Sequence, residues 1–246
     1  MISRLQDLAS RDVLQGRAAA TLSRLLAGAL DLLFPPNCAS CGREGSFLCA
    51  SCESVLPLLA RPNCALCSGP ARGQFCASCT AEPPAYDGLR APYGFYGPAR
   101  DMVHNLKYRN VRASAPDLGR LMADYLWSEP VPGGVLVPVP LHSRRERSRG
   151  FNQSALLARE VGRLTGISVA EDILRRSRNT APQVSMAGPV ERKENIEGAF
   201  ECIGDVAGLE ILLIDDVVTT GSTMSACAEP LKEAGASSVW GLALAR

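Results

Sequence analysis

Apolar and polar positions along this chain repeat with several different periods. Residues 1–33 carry Leu5, Leu8, Val13, Leu14, Leu22, Leu25, Leu26, Ala29, Leu30 and Leu33 at helical spacing, and Pro35-Pro36 stops a helix there. The pattern predicts an amphipathic helix within residues 1–36. Its polar face is not strongly basic, which fits docking on the same protein better than lying on a membrane. Met102, Val103 and Leu106 predict a second helix that ends near Lys107, and residues 117–127 a third. Val135-Leu136-Val137-Pro138-Val139-Pro140 reads as a strand, and residues 154–164 as the helix after it. Phe200–Cys202 is a short strand candidate. Ile211-Leu212-Leu213-Ile214 has the unbroken branched pattern of a strand buried on both faces. A helical run over 224–234 and a strand over Ser238–Ala245 follow. Strands that alternate with helices predict an α/β fold with a parallel sheet flanked by helices.

Residues 37–80 break this pattern. They hold eight of the ten cysteines as four CxxC pairs: Cys38/Cys41, Cys49/Cys52, Cys64/Cys67 and Cys76/Cys79. A CxxC turn presents two thiolates to one metal, and two turns complete a tetrahedral site. Four pairs make two Zn2+ sites. Pairing neighbours gives Cys38, Cys41, Cys49 and Cys52 for one, and Cys64, Cys67, Cys76 and Cys79 for the other, with similar internal gaps that read as a tandem repeat; a crossed arrangement is also open at this level. Gly42 and Gly69 follow the first knuckle of each half, where a tight turn calls for positive φ. All-cysteine ligation leaves no open coordination position, so both sites are expected to be structural. A segment this short and polar would draw its folding free energy from the metal. Cys202 and Cys227 have no CxxC partner and read as packed thiols.

The length of 246 residues suits one medium α/β domain and a small module. The expected division is 1–36, the helix; 37–80, a double zinc ribbon; and 81–246, the α/β domain, with Pro83-Pro84 as linker. Net charge is +1, so no bulk attraction to nucleic acid is written in the composition. No apolar run is long enough to span a bilayer, and Arg4, Asp7, Arg11, Asp12 and Arg17 are unlike a secretory signal. A cytoplasmic protein with reduced thiols is the expectation, which favours metal ligation over disulfides.

Chemistry concentrates after Ile214. Asp215 and Asp216 follow the strand, and Thr219, Thr220, Gly221, Ser222 and Thr223 make a hydroxyl-rich turn into the next helix. The carboxyl end of a parallel strand is where ligands sit, and a helix N-terminus there favours phosphate. Two acids beside a phosphate cradle need another partner, and ribose hydroxyls supply one. Arg144, Arg145, Arg147 and Arg149 lie in a loop after the 135–140 strand and suit bidentate phosphate contact. Lys107 reads either as a C-terminal helix charge or as a phosphate contact. His104 reads as structural. The basic, polar stretch 167–200 reads as a mobile segment over the site or a face for polyanions.

The run from Ile211 to Thr223 resembles the phosphoribosyl pyrophosphate (PRPP) motif of type I phosphoribosyltransferases. The resemblance implies that Asp215 and Asp216 hold the ribose hydroxyls. It also implies that Val217 and residues 219–223 contact PRPP, the turn taking its 5′-phosphate. Purine-salvage members carry an acid at the position of Thr219, so a hypoxanthine- or guanine-type acceptor does not fit. Further motifs are Asp31-Leu32-Leu33-Phe34-Pro35-Pro36, Arg149-Gly150-Phe151-Asn152-Gln153, Thr180-x-x-Gln183 and Arg192-x-x-Asn195. With these, nearly the whole chain resembles the ComF family, ComFC/GntX-type proteins. That resemblance implies a phosphoribosyltransferase-like sheet flanked by helices, with a small N-terminal double zinc ribbon. It implies a role in natural transformation, handling incoming single-stranded DNA alongside DNA-uptake proteins. If catalytic, the site would use Mg2+ on the pyrophosphate and ribose hydroxyls, with the arginines and Lys107 steadying departing pyrophosphate. The alternatives are transfer to an unidentified acceptor, and a zinc-ribbon scaffold with a regulatory nucleotide-sugar site.

Overall fold

The computed structural model describes residues 35–108, 111–177 and 198–246. Single turns α1 (Ala50–Glu53) and α2 (Ala77–Ala81) lie in the cysteine region, followed by β1 (Gly88–Arg90), α3 (Gly97–Tyr108) and α4 (Ala115–Ser128). Then come β2 (Val135–Pro138), α5 (Ser143–Arg149), α6 (Gln153–Thr165), β3 (Ser168–Val169), β4 (Leu174–Arg176) and β5 (Phe200–Cys202). The chain closes with β6 (Glu210–Val217), α7 (Ser222–Glu233) and β7 (Ser238–Ala245).

Five strands form one sheet in the order β1-β7-β6-β2-β3, every neighbouring pair parallel. β6 is therefore central, and a central parallel strand has both faces covered, as its branched run requires. Leu212 and Ile214 pack on one face with Met102, Leu106, Leu118 and Leu157 of α3, α4 and α6. Ile211 and Leu213 pack on the other with Met224, Cys227, Ala228 and Leu231 of α7. All four strand residues are fully buried, each contributing about 1.5–3 kcal/mol of hydrophobic stabilisation. β4 and β5 pair antiparallel in a separate two-stranded sheet.

Local signals set the helix ends near the site. Asn152 Oδ1 accepts from Ser154 N at 3.0 Å and starts α6, and Gly166, at φ 78°, ends it. The two cysteine halves share one turn geometry, with antiparallel bridges Asn37–Glu44 and Asn63–Pro70.

Four expectations need correction. The arginine segment is the helix α5 and not a loop. His142 Nδ1 accepts from Arg144 N at 3.2 Å as its cap, and Gly150, at φ 80°, closes it. An almost wholly polar helix leaves no apolar period to read. The acids do not follow a finished strand but lie in it, because pairing with β7 continues through Asp215–Ala243 and Val217–Ala245. Leu174–Arg176, read as part of a mobile or polyanion-facing stretch, is a strand held by β5. Positive φ in the second knuckle falls on Ser68 (57°), while Gly42 has it in the first (74°). Gly69 serves a different need, since a Cβ there would lie 2.9 Å from the Arg246 guanidinium. Cys227 is fully buried and Cys202 half-buried. The predicted helix within 1–36 lies outside the described residues except for Pro35 and Pro36, and Thr180, Gln183, Arg192 and Asn195 lie outside them too. Among the described residues no helix is long and apolar enough to cross a membrane.

Candidate functional site

Alternation along β6 sends the two adjacent acids to different surroundings. Asp216 continues the Leu212–Ile214 face, and Lys107 Nζ, from the last turn of α3, lies 2.8 Å from its Oδ2. Apart from this ion pair, Oδ2 is a buried oxygen without a hydrogen-bond partner; Oδ1 accepts from Val217 N at 2.9 Å. Asp216 is 2% exposed, so Lys107 is its counter-charge rather than a surface ornament. Burial works to lower the Lys107 amine, but Asp216 and Asp215 outweigh it and hold the amine above its ordinary value.

Asp215 is also buried. Its Oδ1 accepts from Ser154 Oγ at 2.8 Å and from Asp216 N at 2.9 Å. Burial first, and then the charge of Asp216, push its carboxyl up to about 7, against the opposing pull of Lys107 and Ser154. The acid pair thus holds one carboxylate with a fixed cation and one that exchanges a proton near neutrality.

The turn beyond β6 presents hydroxyls and backbone. Thr220 Oγ1 and Ser222 Oγ are 2.8 Å apart, and Ser222 N donates to Thr220 Oγ1 at 3.3 Å. Gly221, at φ 86°, is the cap residue of α7 and no side chain caps the helix. The first-turn N–H groups of this twelve-residue helix face the sheet's carboxyl edge, with the positive end of the helix dipole behind them. Thr219 is exposed and Thr223 half-buried.

The basic residues line the same edge. Arg149 Nη1 donates to Gln153 Oε1 at 2.5 Å, and its guanidinium lies 5.9 Å from the Tyr108 ring, so α5 meets the end of α3 beside Lys107. Burial, and then Arg149, lower Arg145. Arg144 and Arg147 lie on the same exposed helix. Desolvation and the guanidiniums of Arg176, Arg144 and Arg147 hold His142 below its ordinary value. A cleft of about 540 Å³ opens beside α5, lined by Pro140, His142, Glu146, Asn152, Arg175 and Arg176.

The cysteines form two neighbour tetrads and not a crossed set. In each, the four sulfurs lie within 4.8 Å of one another. Cys41–Cys49 and Cys67–Cys76 sulfurs are 3.6 and 3.7 Å apart. A tetrahedron with Zn–S bonds of about 2.3 Å has edges of about 3.8 Å, so the spacing fits zinc and is far too long for disulfides. Burial raises Cys38, but the N–H groups of Cys41, Cys49 and Ser40 outweigh it and bring the thiol down to about 6. Cys64 behaves alike, at about 6, through the N–H groups of Cys67, Cys76 and Leu66. Each site thus begins with a ready thiolate.

Three side chains at this edge escaped sequence reasoning. Ser154 was legible only as a helix start, though a small hydroxylated residue after an Asn cap was its signal. Arg176, which feels the charge of Asp215, sat unremarked in a basic run. Tyr86 gave no signal; its phenol lies over Gly221, where a Cβ would meet the oxygen at 2.6 Å.

Residues 29–81 match the double zinc ribbon domain, and residues 148–245 match the phosphoribosyl transferase domain. The DNA utilization protein YhgH of Salmonella typhi is 36% identical over 170 residues, covering 67% of this chain and 74% of that one. Competence protein F of Haemophilus influenzae is 27% identical over 209 residues, 80% of this chain and 90% of that one. Competence protein ComFC of Bacillus subtilis is 36% identical over 106 residues, 41% of this chain and 39% of that one.

Proposed function

This chain belongs to the ComF family, and from that premise we propose that it binds PRPP at the carboxyl edge of β6 and acts in the handling of incoming DNA. The observation that carries the ligand is the junction of an acid pair and a glycine-capped helix start on the central strand. The first-turn amides and the hydroxyls of Thr219, Thr220, Ser222 and Thr223 would take the 5′-phosphate. Val217 lies at the strand end beside them. Asp215, which already accepts a hydrogen bond from Ser154, would accept from a ribose hydroxyl once ionised. Asp216 and Lys107 supply a fixed dipole next to it. Lys107, Arg144, Arg145, Arg147 and Arg149 would face the pyrophosphate, electrostatic stabilisation of the kind a leaving diphosphate needs.

Mg2+ would arrive with the ligand. Among the described residues, three or more metal-donor side chains come together only in the two cysteine tetrads, so no protein cage for it stands at β6. Zinc would occupy both tetrads and hold the ribbon folded. We assign residues 37–80 to that ribbon and 81–246 to the phosphoribosyltransferase-like part.

Single-stranded DNA is the partner proposed from the relatives' roles in DNA utilization and competence. Exposed Tyr108, beside the arginine helix, would supply stacking next to that charge. A second function, phosphoribosyl transfer, is favoured by one observation: Asp215 lies buried at the strand end against Ser154 Oγ, where burial and Asp216 raise its carboxyl toward the range of a proton-transfer group.

PRPP titration by calorimetry, with and without Mg2+, tests the ligand. Wild type is expected to bind, with Asp215→Asn and Asp216→Asn at least about tenfold weaker. No heat from wild type in either condition sinks PRPP binding. Affinity for oligonucleotides is expected to fall steeply with salt, and less steeply for Arg147→Ala/Arg149→Ala.

A further inference from the structure

We propose that Tyr86 is a positioning residue through which the second cysteine tetrad, and not the first, holds the phosphate loop at Gly221; only the identity of the ligand here rests on the PRPP proposal above. Residues 85–90 run along β7, where Asp87 N donates to Val239 O at 2.8 Å, and are tied down on two further sides. On the α7 side, Ala85 N donates to Ser225 Oγ at 2.9 Å, and Ser225 N donates to Gly221 O at 2.9 Å. On the ribbon side, Leu89 N donates to Leu66 O at 2.7 Å, Ser68 Oγ to Leu89 O at 2.6 Å, and Arg90 Nη1 to Ala65 O at 2.7 Å. The knuckle that carries Cys64 and Cys67 is thus an added rung on the edge strand β1. Arg246, just past β7, completes the joint by donating from Nη1 to Cys67 O at 2.6 Å.

Tyr86 sits between these two sets of bonds and is 3% exposed. Its oxygen occupies the space over the Gly221 Cα. Gly221 therefore lacks a side chain for two reasons, a positive φ and this phenol. A close-packed contact of this kind transmits displacement, because neither partner can yield without a void or an overlap. The knuckle positions β1 and Tyr86, and Tyr86 sets where the turn lies beneath the phosphate.

The first tetrad is anchored elsewhere. Ser40 Oγ donates to Asp101 Oδ2 at 2.8 Å on α3, and Glu53 pairs with Arg120 of α4 at 2.7 Å. Cys38, Cys49 and Cys52 join the α3–α4 core. Coupling to Gly221 belongs to the second tetrad alone.

Amide hydrogen exchange of residues 221–224 in the ligand-free full chain is the decisive measurement. Exchange there is expected to quicken in Cys76→Ser and to stay at the wild-type rate in Cys41→Ser, which removes one ligand of the first tetrad. Tyr86→Ala should quicken it with both zinc ions still bound, and Tyr86→Phe less so. If Cys76→Ser does not fold, Arg246→Ala loosens the same knuckle with all eight thiols intact and should act in the same direction. Unchanged loop exchange in Tyr86→Ala, or equal quickening in Cys41→Ser, overturns the proposal. A second readout uses linkage: PRPP should slow chelator removal of one zinc of the two by about fivefold or more, and Tyr86→Ala should abolish that protection. Loop exchange that responds as described while PRPP fails to bind leaves the coupling standing and removes PRPP as the ligand.

Discussion

The two faces of the sheet handle the same residue type differently. On the α3–α4–α6 face, Asp216 is buried with a permanent cation, and the adjoining first tetrad is absorbed into an apolar core. On the α7 face, Cys227 is buried and feels the charge of Asp215, whose carboxyl has no close cation of its own and is held near neutrality. The second tetrad hangs by hydrogen bonds on the sheet's edge. Adjacent acids and repeated CxxC pairs are near-equivalents in the sequence. Their surroundings make one member of each pair rigid and the other responsive. Burial against a counter-charge locks a group, while burial against neutral donors, or attachment through a few directed bonds, leaves it able to change state.

Metal removal should break the contrast most severely. Chelation of both sites is expected to unfold residues 37–80, since structural zinc supplies on the order of 10 kcal/mol of binding free energy in small ribbons. A limited protease should then cut within the ribbon while the parallel sheet resists; a ribbon that stays uncut without metal would show that apolar packing suffices. Next in size, Lys107→Met leaves Asp216 buried without a counter-charge and is expected to cost about 3–5 kcal/mol. Lys107→Met/Asp216→Asn should recover most of that loss in urea unfolding, and additive losses would show that the ion pair is not the source.

Asp215→Asn probes the other face. An acid whose folded pKa lies near 7 and whose ordinary value is 3.8 binds more protons folded than unfolded. Its burial therefore costs stability that is absent below the ordinary value, grows as pH rises between the two, and is full above 7. Asp215→Asn should raise the melting temperature at pH 8 and have little effect at pH 4. A shift independent of pH would locate the change in packing instead. PRPP affinity of the wild type should strengthen from pH 6 to 8 as the carboxyl ionises. Smallest of all, Ser40→Ala removes an exposed hydrogen bond between the first tetrad and α3. It should cost less than about 1 kcal/mol, because the apolar core carries that contact. A larger loss in urea unfolding would make the first tetrad as dependent on directed bonds as the second.

Much of this was legible along the chain because it depends on spacing. CxxC pairs, the branched run of β6, the acids after it and the hydroxylated turn each have a local signature. The arginine helix was not legible, since its caps, His142 and Gly150, carry no apolar period. Nor was the partner of Lys107. An ammonium at a helix end satisfies either a carbonyl dipole or an acid, and only the packing of α3 against β6 brings Asp216 within reach.

Sequence alone determined the helices and strands with an apolar period, the eight metal-donor thiols and the chemical character of the β6 edge, because short-range geometry and residue chemistry suffice for those. Tertiary structure decided which cysteines share a site, which acid is neutralised, and that Tyr86 bears on Gly221. Each of these joins residues far apart in the chain, and local propensity carries no information about distances that only sheet order and helix packing create.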